Sequence, residues 1–205
     1  MIAAPDMRVL ELLTARLCHE LIGPIAAIGN GAELLADDDA GFAQEAAALI
    51  ADSARRAGSR LQFYRFAYGF GGAGPAAGAA PCDLAAGFFA GARIACDYPR
   101  PVRNLPLDWQ KLGCNLLLVG SEALPRGGAL ALDAGPAGPG LEVIGEAAAL
   151  SPEAEAALTL SAPVAALTPR TVQSYFTGLV ARTLGRRLVI AAAESGRFRL
   201  SAAAG

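Results

Sequence analysis

Apolar residues recur along the first third of the chain in alternating three- and four-residue steps, at Leu10, Leu13, Leu17, Leu21, Ile25 and Ile28. That spacing predicts an amphipathic helix from about Asp6 to Leu35. The acidic run Asp37, Asp38, Asp39 and then Gly41 breaks the pattern. A second helix is expected from about Phe42 to Tyr68, with Ala46, Leu49, Ile50, Ser53, Ala57, Leu61 and Tyr64 near one face. So short a connection forces the two helices antiparallel, as a helical hairpin. Two helices alone leave one side of their apolar stripe uncovered. A second copy of the chain would cover it by completing a four-helix bundle.

The pattern changes after Tyr68. Residues 69–80, GFGGAGPAAGAA, read as a flexible linker between a hairpin region (1–70) and a second domain (81–205). A formal GxGxxG at Gly69, Gly71 and Gly74 follows a helix, whereas a dinucleotide fingerprint follows a strand. Beyond it, helices are expected near 82–92, 107–124 and 169–184, and strands near 129–134, 140–146, 187–193 and 197–202. The turn sequences GPAGPG and ESG indicate hairpins, so the sheet is at least partly antiparallel. The fold class is α+β, with the helices on one face of the sheet.

Composition narrows the function. The chain is 54% hydrophobic but only 6% aromatic, because alanine and glycine supply much of the apolar count. Its apolar stretches are short and interrupted, which argues against a bilayer span, and the N-terminus lacks the look of a signal peptide. A soluble, cytoplasmic protein is expected, with no membrane partner. A net charge of −2 argues against a nucleic-acid partner. Cys18, Cys82, Cys96 and Cys114 form no CxxC, and with one histidine in the chain no metal site is expected; the cysteines read as small buried apolar residues.

That histidine is His19. At about 100° per residue, the six apolar residues of the first helix fall within roughly a 120° wedge, and His19 lies about 180° from its middle. Its neighbours on that face are Ala15, Arg16, Gly23 and Ala26. Neutral imidazole is a competent nitrogen nucleophile near pH 7. Glu20 would accept a proton from one ring nitrogen, and Arg16, one turn earlier, would offset charge on a phosphoryl group. Pro24 withholds the N–H that would bond the Glu20 carbonyl. A lone exposed histidine is nevertheless most often an ordinary surface residue, as Glu20 and Arg16 would then be too.

A resemblance shifts the balance. The segment LCHELIGPIAAIGNGAELL (Leu17–Leu35) resembles the H-box of dimerising sensor histidine kinases, with His19, Glu20 and Pro24 as H-E-x-x-x-P. Gly23 stands where many kinases have Thr or Asn. NLLLVGSEALPRGG (Asn115–Gly128) resembles the N-box of the kinase ATP-binding domain, with Val119 in place of the Asn that holds magnesium. LEVIGEAAALSPE (Leu141–Glu153) resembles LEVxDNGPGIPxE, with Gly145 in place of the adenine-reading Asp and Ala147 and Ala149 in place of glycines. TVQSYFTGLV (Thr171–Val180) has no GxG. Together these resemble the ChpT-type histidine phosphotransferases of alphaproteobacteria. The resemblance implies a DHp-like hairpin dimerised into a four-helix bundle, and a degenerate Bergerat (GHKL-like) α/β sandwich that binds no ATP. It implies a homodimer that accepts phosphate on His19 from the receiver of a CckA-like hybrid kinase. The phosphate then passes to CtrA- and CpdR-like response regulators in cell-cycle control, with Mg2+ supplied by the receiver and no cofactor in this chain. Two other functions stay open: a receiver-binding adaptor that exchanges no phosphate, and an ATP-dependent histidine kinase.

Overall fold

The computed structural model describes residues 6–36, 42–69, 79–194 and 196–205. The predicted helix breaker at Asp37–Asp39 and Gly41, and all but the ends of the predicted linker, lie outside the described residues. The apolar period does produce two long helices, α1 (Met7–Ala36) and α2 (Ala43–Tyr68), packed against each other. Their close approach depends on Gly31. A Cβ there would meet Ile50 Cγ1 at 2.7 Å and the Ala46 carbonyl at 3.3 Å. α1 continues as helix through Pro24.

The predicted stripe on α1 divides between two environments. Leu13 is buried and Leu17 and Leu21 are half-buried, while Leu10 and Ile25 are 43% and 57% exposed. On α2, Leu49 and Leu61 are also exposed. One face of the hairpin therefore remains apolar and uncovered, while the opposite side meets the rest of the chain. Val9 and Leu13 form a small core with Ala157, Leu167 and Val172 from that second part. By length and composition α1 would pass for a bilayer span, with an 18-residue window of mean hydropathy 1.2. This differs from the sequence expectation, because one continuous helix joins apolar stretches that Gly23, Pro24 and scattered charges interrupt in the sequence. The Arg16 and Glu20 side chains of this helix are each ion-paired to another part of the chain.

The second part contains α3 (Pro81–Phe89), β1 (Ile94–Asp97), α4 (Arg100–Arg103), α5 (Leu107–Glu122), β2 (Gly128–Gly135), β3 (Gly138–Ile144), α6 (Pro152–Leu158), α7 (Val172–Thr183), β4 (Arg186–Glu194) and β5 (Arg197–Ala204). The five strands form one mixed sheet in the order β1-β2-β3-β5-β4. β1 runs parallel to β2, with Ile94 beside Gly128, and the other neighbours pair antiparallel. The parallel pair uses the α4–α5 connection as its crossover. Alternation along the strands gives the sheet two unlike faces. Leu130, Leu132, Leu141, Val143, Leu188 and Leu200 are buried on the helix side. The other face carries ion pairs between Arg199 and Asp133 and between Arg197 and Glu142.

The hairpin and the second part share one core. Phe63, Tyr64 and Ala67, near the end of α2, are buried with Leu84, Leu112, Leu116 and Leu141. Burying such aromatic side chains is worth about 2 kcal/mol or more each. A buried polar chain adds direction to that packing. Tyr68 Oη donates to Gln173 Oε1 (2.5 Å), and Gln173 Nε2 donates to Asn115 Oδ1 (3.1 Å). Asn115 Nδ2 donates to the Ala67 carbonyl (2.8 Å) and to that of Lys111 (2.9 Å). Helices α2, α5 and α7 are thereby tied at one point. Asn115→Ala strands the Ala67 carbonyl and the Gln173 amide without these partners, and is expected to cost about 2–4 kcal/mol in urea unfolding. A loss below about 0.5 kcal/mol would contradict this role.

Candidate functional site

His19 is exposed near the middle of α1, but it does not face open solvent alone. It lines a cleft of about 840 Å³ whose near wall is Ala15, Arg16, His19 and Glu20. The far wall is Glu122 and Ala123 at the end of α5, Ala149–Ser151 and Ala154 at the start of α6, and Pro169 with Arg170. Ser151 caps α6, its Oγ accepting from the Ala154 N–H at 3.2 Å. The stretch that resembles a nucleotide box thus forms a wall facing the histidine.

The two charged neighbours of His19 turn in opposite directions. Arg16 turns to the second part of the chain and pairs with Glu122, the last residue of α5. The two side chains are 12% and 29% exposed. Glu20 turns to α2 and accepts from Arg60 through Oε2. Behind them stand Tyr64 and Tyr68. Burial opposes charge on Arg16, but Glu122 and both tyrosines outweigh it and hold the guanidinium above its ordinary value. Burial pushes the Glu122 carboxyl up to about 7; Arg16 holds back part of that rise and Glu20 adds to it. Tyr68 is pushed up to about 12 by burial, against the pull of Arg16.

Sequence reasoning named His19, Glu20 and Arg16 but missed Glu122 and the far wall. One signal was available: Glu122 is the only charged residue between Lys111 and Arg126. An isolated carboxylate ending an apolar helix needs a partner. The helical wheel left the sector around Arg16 to solvent because Arg16 and Ala15 carry no large apolar group. The stem of Arg16 is nonetheless covered, as long basic side chains allow. Of the cysteines, Cys114 is buried, Cys82 and Cys96 are partly so, and Cys18 is exposed beside His19.

The positions at which the sequence departs from a nucleotide box have definite environments. Val119 is fully buried in the core. A Cβ on Gly145 would lie 2.5 Å from Leu124 Cδ2 and 2.6 Å from the Gly127 carbonyl, so no side chain fits there without movement. Ala147 holds φ +59°, a left-handed conformation natural to glycine and strained for alanine.

Comparison with known proteins gives this arrangement a family. Residues 82–196 match the family model for the histidine phosphotransferase C-terminal domain. The protein phosphotransferase ChpT of Brucella abortus (strain 2308) is 35% identical over 193 residues, covering 87% of this chain and 88% of that relative. The chain belongs to the histidine phosphotransferase family. A bacterial phosphotransferase solved at 1.7 Å superposes with a TM-score of 0.74 at 31% identity, covering 98% of each chain. The phosphotransferase thus has a relative over most of its length, and its hairpin-plus-mixed-sheet architecture matches that of a solved bacterial phosphotransferase. Gly145→Asp is expected to destabilise it by about 3 kcal/mol through overpacking. Ala147→Gly should stabilise it by up to about 1 kcal/mol, relief of the left-handed strain exceeding the gain in unfolded-state entropy. Thermal melts of the two variants check both; a destabilising Ala147→Gly would show that the strain is absent.

Proposed function

We propose that this phosphotransferase is a relay carrier that receives a phosphoryl group on His19 from the receiver domain of a hybrid histidine kinase. It then hands the group to the aspartate of response-regulator receivers, without ATP. The observation that carries this reading is the chain's single histidine, exposed on the hairpin at the mouth of an open cleft. On loading, an imidazole nitrogen attacks the phosphorus of the donor's acyl phosphate. The carboxyl O–P bond breaks, its electron pair leaves on the aspartate, and the remaining ring proton passes to the Glu20 carboxylate or to solvent. Delivery runs the same steps in reverse. Magnesium for both transfers would come with the receiver partner. By the family resemblance, the donor is CckA-like and the acceptors are CtrA- and CpdR-like, in the cytoplasm.

Two features support independence from ATP. Adenine recognition needs a carboxylate where Gly145 has no room for a side chain. Magnesium prefers oxygen ligands, and Val119 offers a buried hydrocarbon. A homodimer is supported by the uncovered apolar face with Leu10, Ile22, Ile25, Leu49 and Leu61. Sedimentation should give twice the chain mass at micromolar concentration; a monomer would count against the bundle.

Loading is tested with a phosphorylated hybrid-kinase receiver as donor, beside His19→Ala and an ATP-only control. Label is expected on the wild type, with none on the variant and none from ATP alone. Label from ATP would revive the kinase reading. No label from any receiver would favour an adaptor, which tolerates any residue at position 19.

A further inference from the structure

The ion pair between Arg16 and Glu122 is, among the described residues, the one salt bridge joining α1 to the second part of the chain. It lies beside the phospho-acceptor. Arg16 precedes His19 by three residues on α1, so their side chains are neighbours, with Cβ atoms about 5–6 Å apart. The groups facing Glu122 are Arg16, Glu20 and His19 from α1 and Tyr68 from α2, with Arg170 on the same cleft wall. Arg60 and Tyr64 stand behind Glu20. In the resting chain two carboxylates and two guanidiniums are closed into two pairs, Arg16–Glu122 and Arg60–Glu20.

A phosphoryl group upsets that balance, since it brings close to two negative charges and three acceptor oxygens. Arg16 is equipped to respond: its Nε is buried and has no hydrogen-bond partner, so the pairing with Glu122 leaves one donor unused. A guanidinium presents its donors in a fork that suits phosphate oxygens. We propose that Arg16–Glu122 is a latch opened by phosphorylation of His19. Arg16 exchanges its carboxylate partner for the phosphoryl group, Glu122 stays covered in the cleft wall and takes up one proton from solvent, and the ion-pair tie between α5 and α1 is lost. Loss of that tie loosens the far wall of the cleft when a phosphoryl group is present to be handed on. Glu122 is suited to this because burial already holds its carboxyl near neutrality at cellular pH. Arg16 and Glu122 are positioning residues here, and the inference rests on His19 being the phosphorylated group.

The test uses phosphoramidate, which removes the receiver from the experiment. Its P–N bond breaks as the bond from phosphorus to the imidazole nitrogen forms, and ammonia leaves with the ring proton. Phosphohistidine is followed by phosphorus NMR at matched phosphoramidate and ammonium concentrations between pH 6 and 9. If phosphorylation binds a proton at Glu122, the wild-type phosphohistidine level falls above pH 7 more steeply than that of Glu122→Gln, by up to about tenfold per pH unit. Glu146→Gln, in an exposed pair with Arg126, should follow the wild type. Arg16→Gln should hold about tenfold less phosphohistidine than the wild type across the range. Superimposable profiles for wild type and Glu122→Gln overturn the latch. If Glu122→Gln does not fold, hydrogen exchange on the wild type decides. Amides from Gly120 to Leu124 should exchange faster when His19 is phosphorylated, and unchanged exchange overturns the proposal. A folded wild type that takes no phosphate on His19 would instead overturn the relay reading beneath it.

Discussion

The anchorage of the last turns of α2 on the second part of the chain is the constraint from which the rest follows. Phe63, Tyr64 and Ala67 enter the common core, and Asn115 and Gln173 fix the angle through fully buried amide hydrogen bonds. Apolar packing alone is non-directional and would tolerate some sliding between helices. Buried amides left unpaired cost more than they gain when paired, so they tolerate only one arrangement. α1 is carried into place by α2, and the cleft beside His19 is what remains open between α1 and the ends of α5 and α6.

The electrostatics of the cleft depend on that placement. Arg16 is buried because the end of α5 covers it, and Glu122 is pushed up because the same contact removes it from water. A pair held this way is poorly stabilised compared with a well-packed apolar contact of equal size. Its position beside His19 fits the proposed response to added charge better than a role in stability. Glu20 differs: Arg60 holds it from within the hairpin, so its orientation depends less on the second part of the chain.

Much of this was legible in the sequence, for physical reasons that also explain the gaps. The long helices lie within a residue or two of where their period placed them, because an amphipathic stripe of this length has no competing interpretation. The strands of the two antiparallel hairpins were visible through their turn residues. β1 and α4, at four residues each, are too short to show a period, and α6 begins only at the last two residues of the box-like stretch Leu141–Glu153 and was not expected. α3 ends at Phe89, short of the expected 92, and α7 begins at Val172, after the expected 169. His19 was singled out by residue type and helix face, and it took its proposed role only from the H-box resemblance of Leu17–Leu35. Its cleft was not, since the contact between Arg16 and Glu122 joins residues far apart in sequence, and single-helix geometry cannot show what covers a helix from outside.

In the proposed relay the phosphoryl group passes through His19 and moves on without nucleotide. The most direct measurement is a single-turnover chase: the chain is loaded on His19, freed of donor, and mixed with a magnesium-bound response-regulator receiver. Label is expected to leave His19 and appear on the receiver's aspartate with no ATP present, and an aspartate-to-asparagine receiver should leave it in place. Label that stays on His19 with every receiver tried, or that moves only when ATP is added, would contradict it.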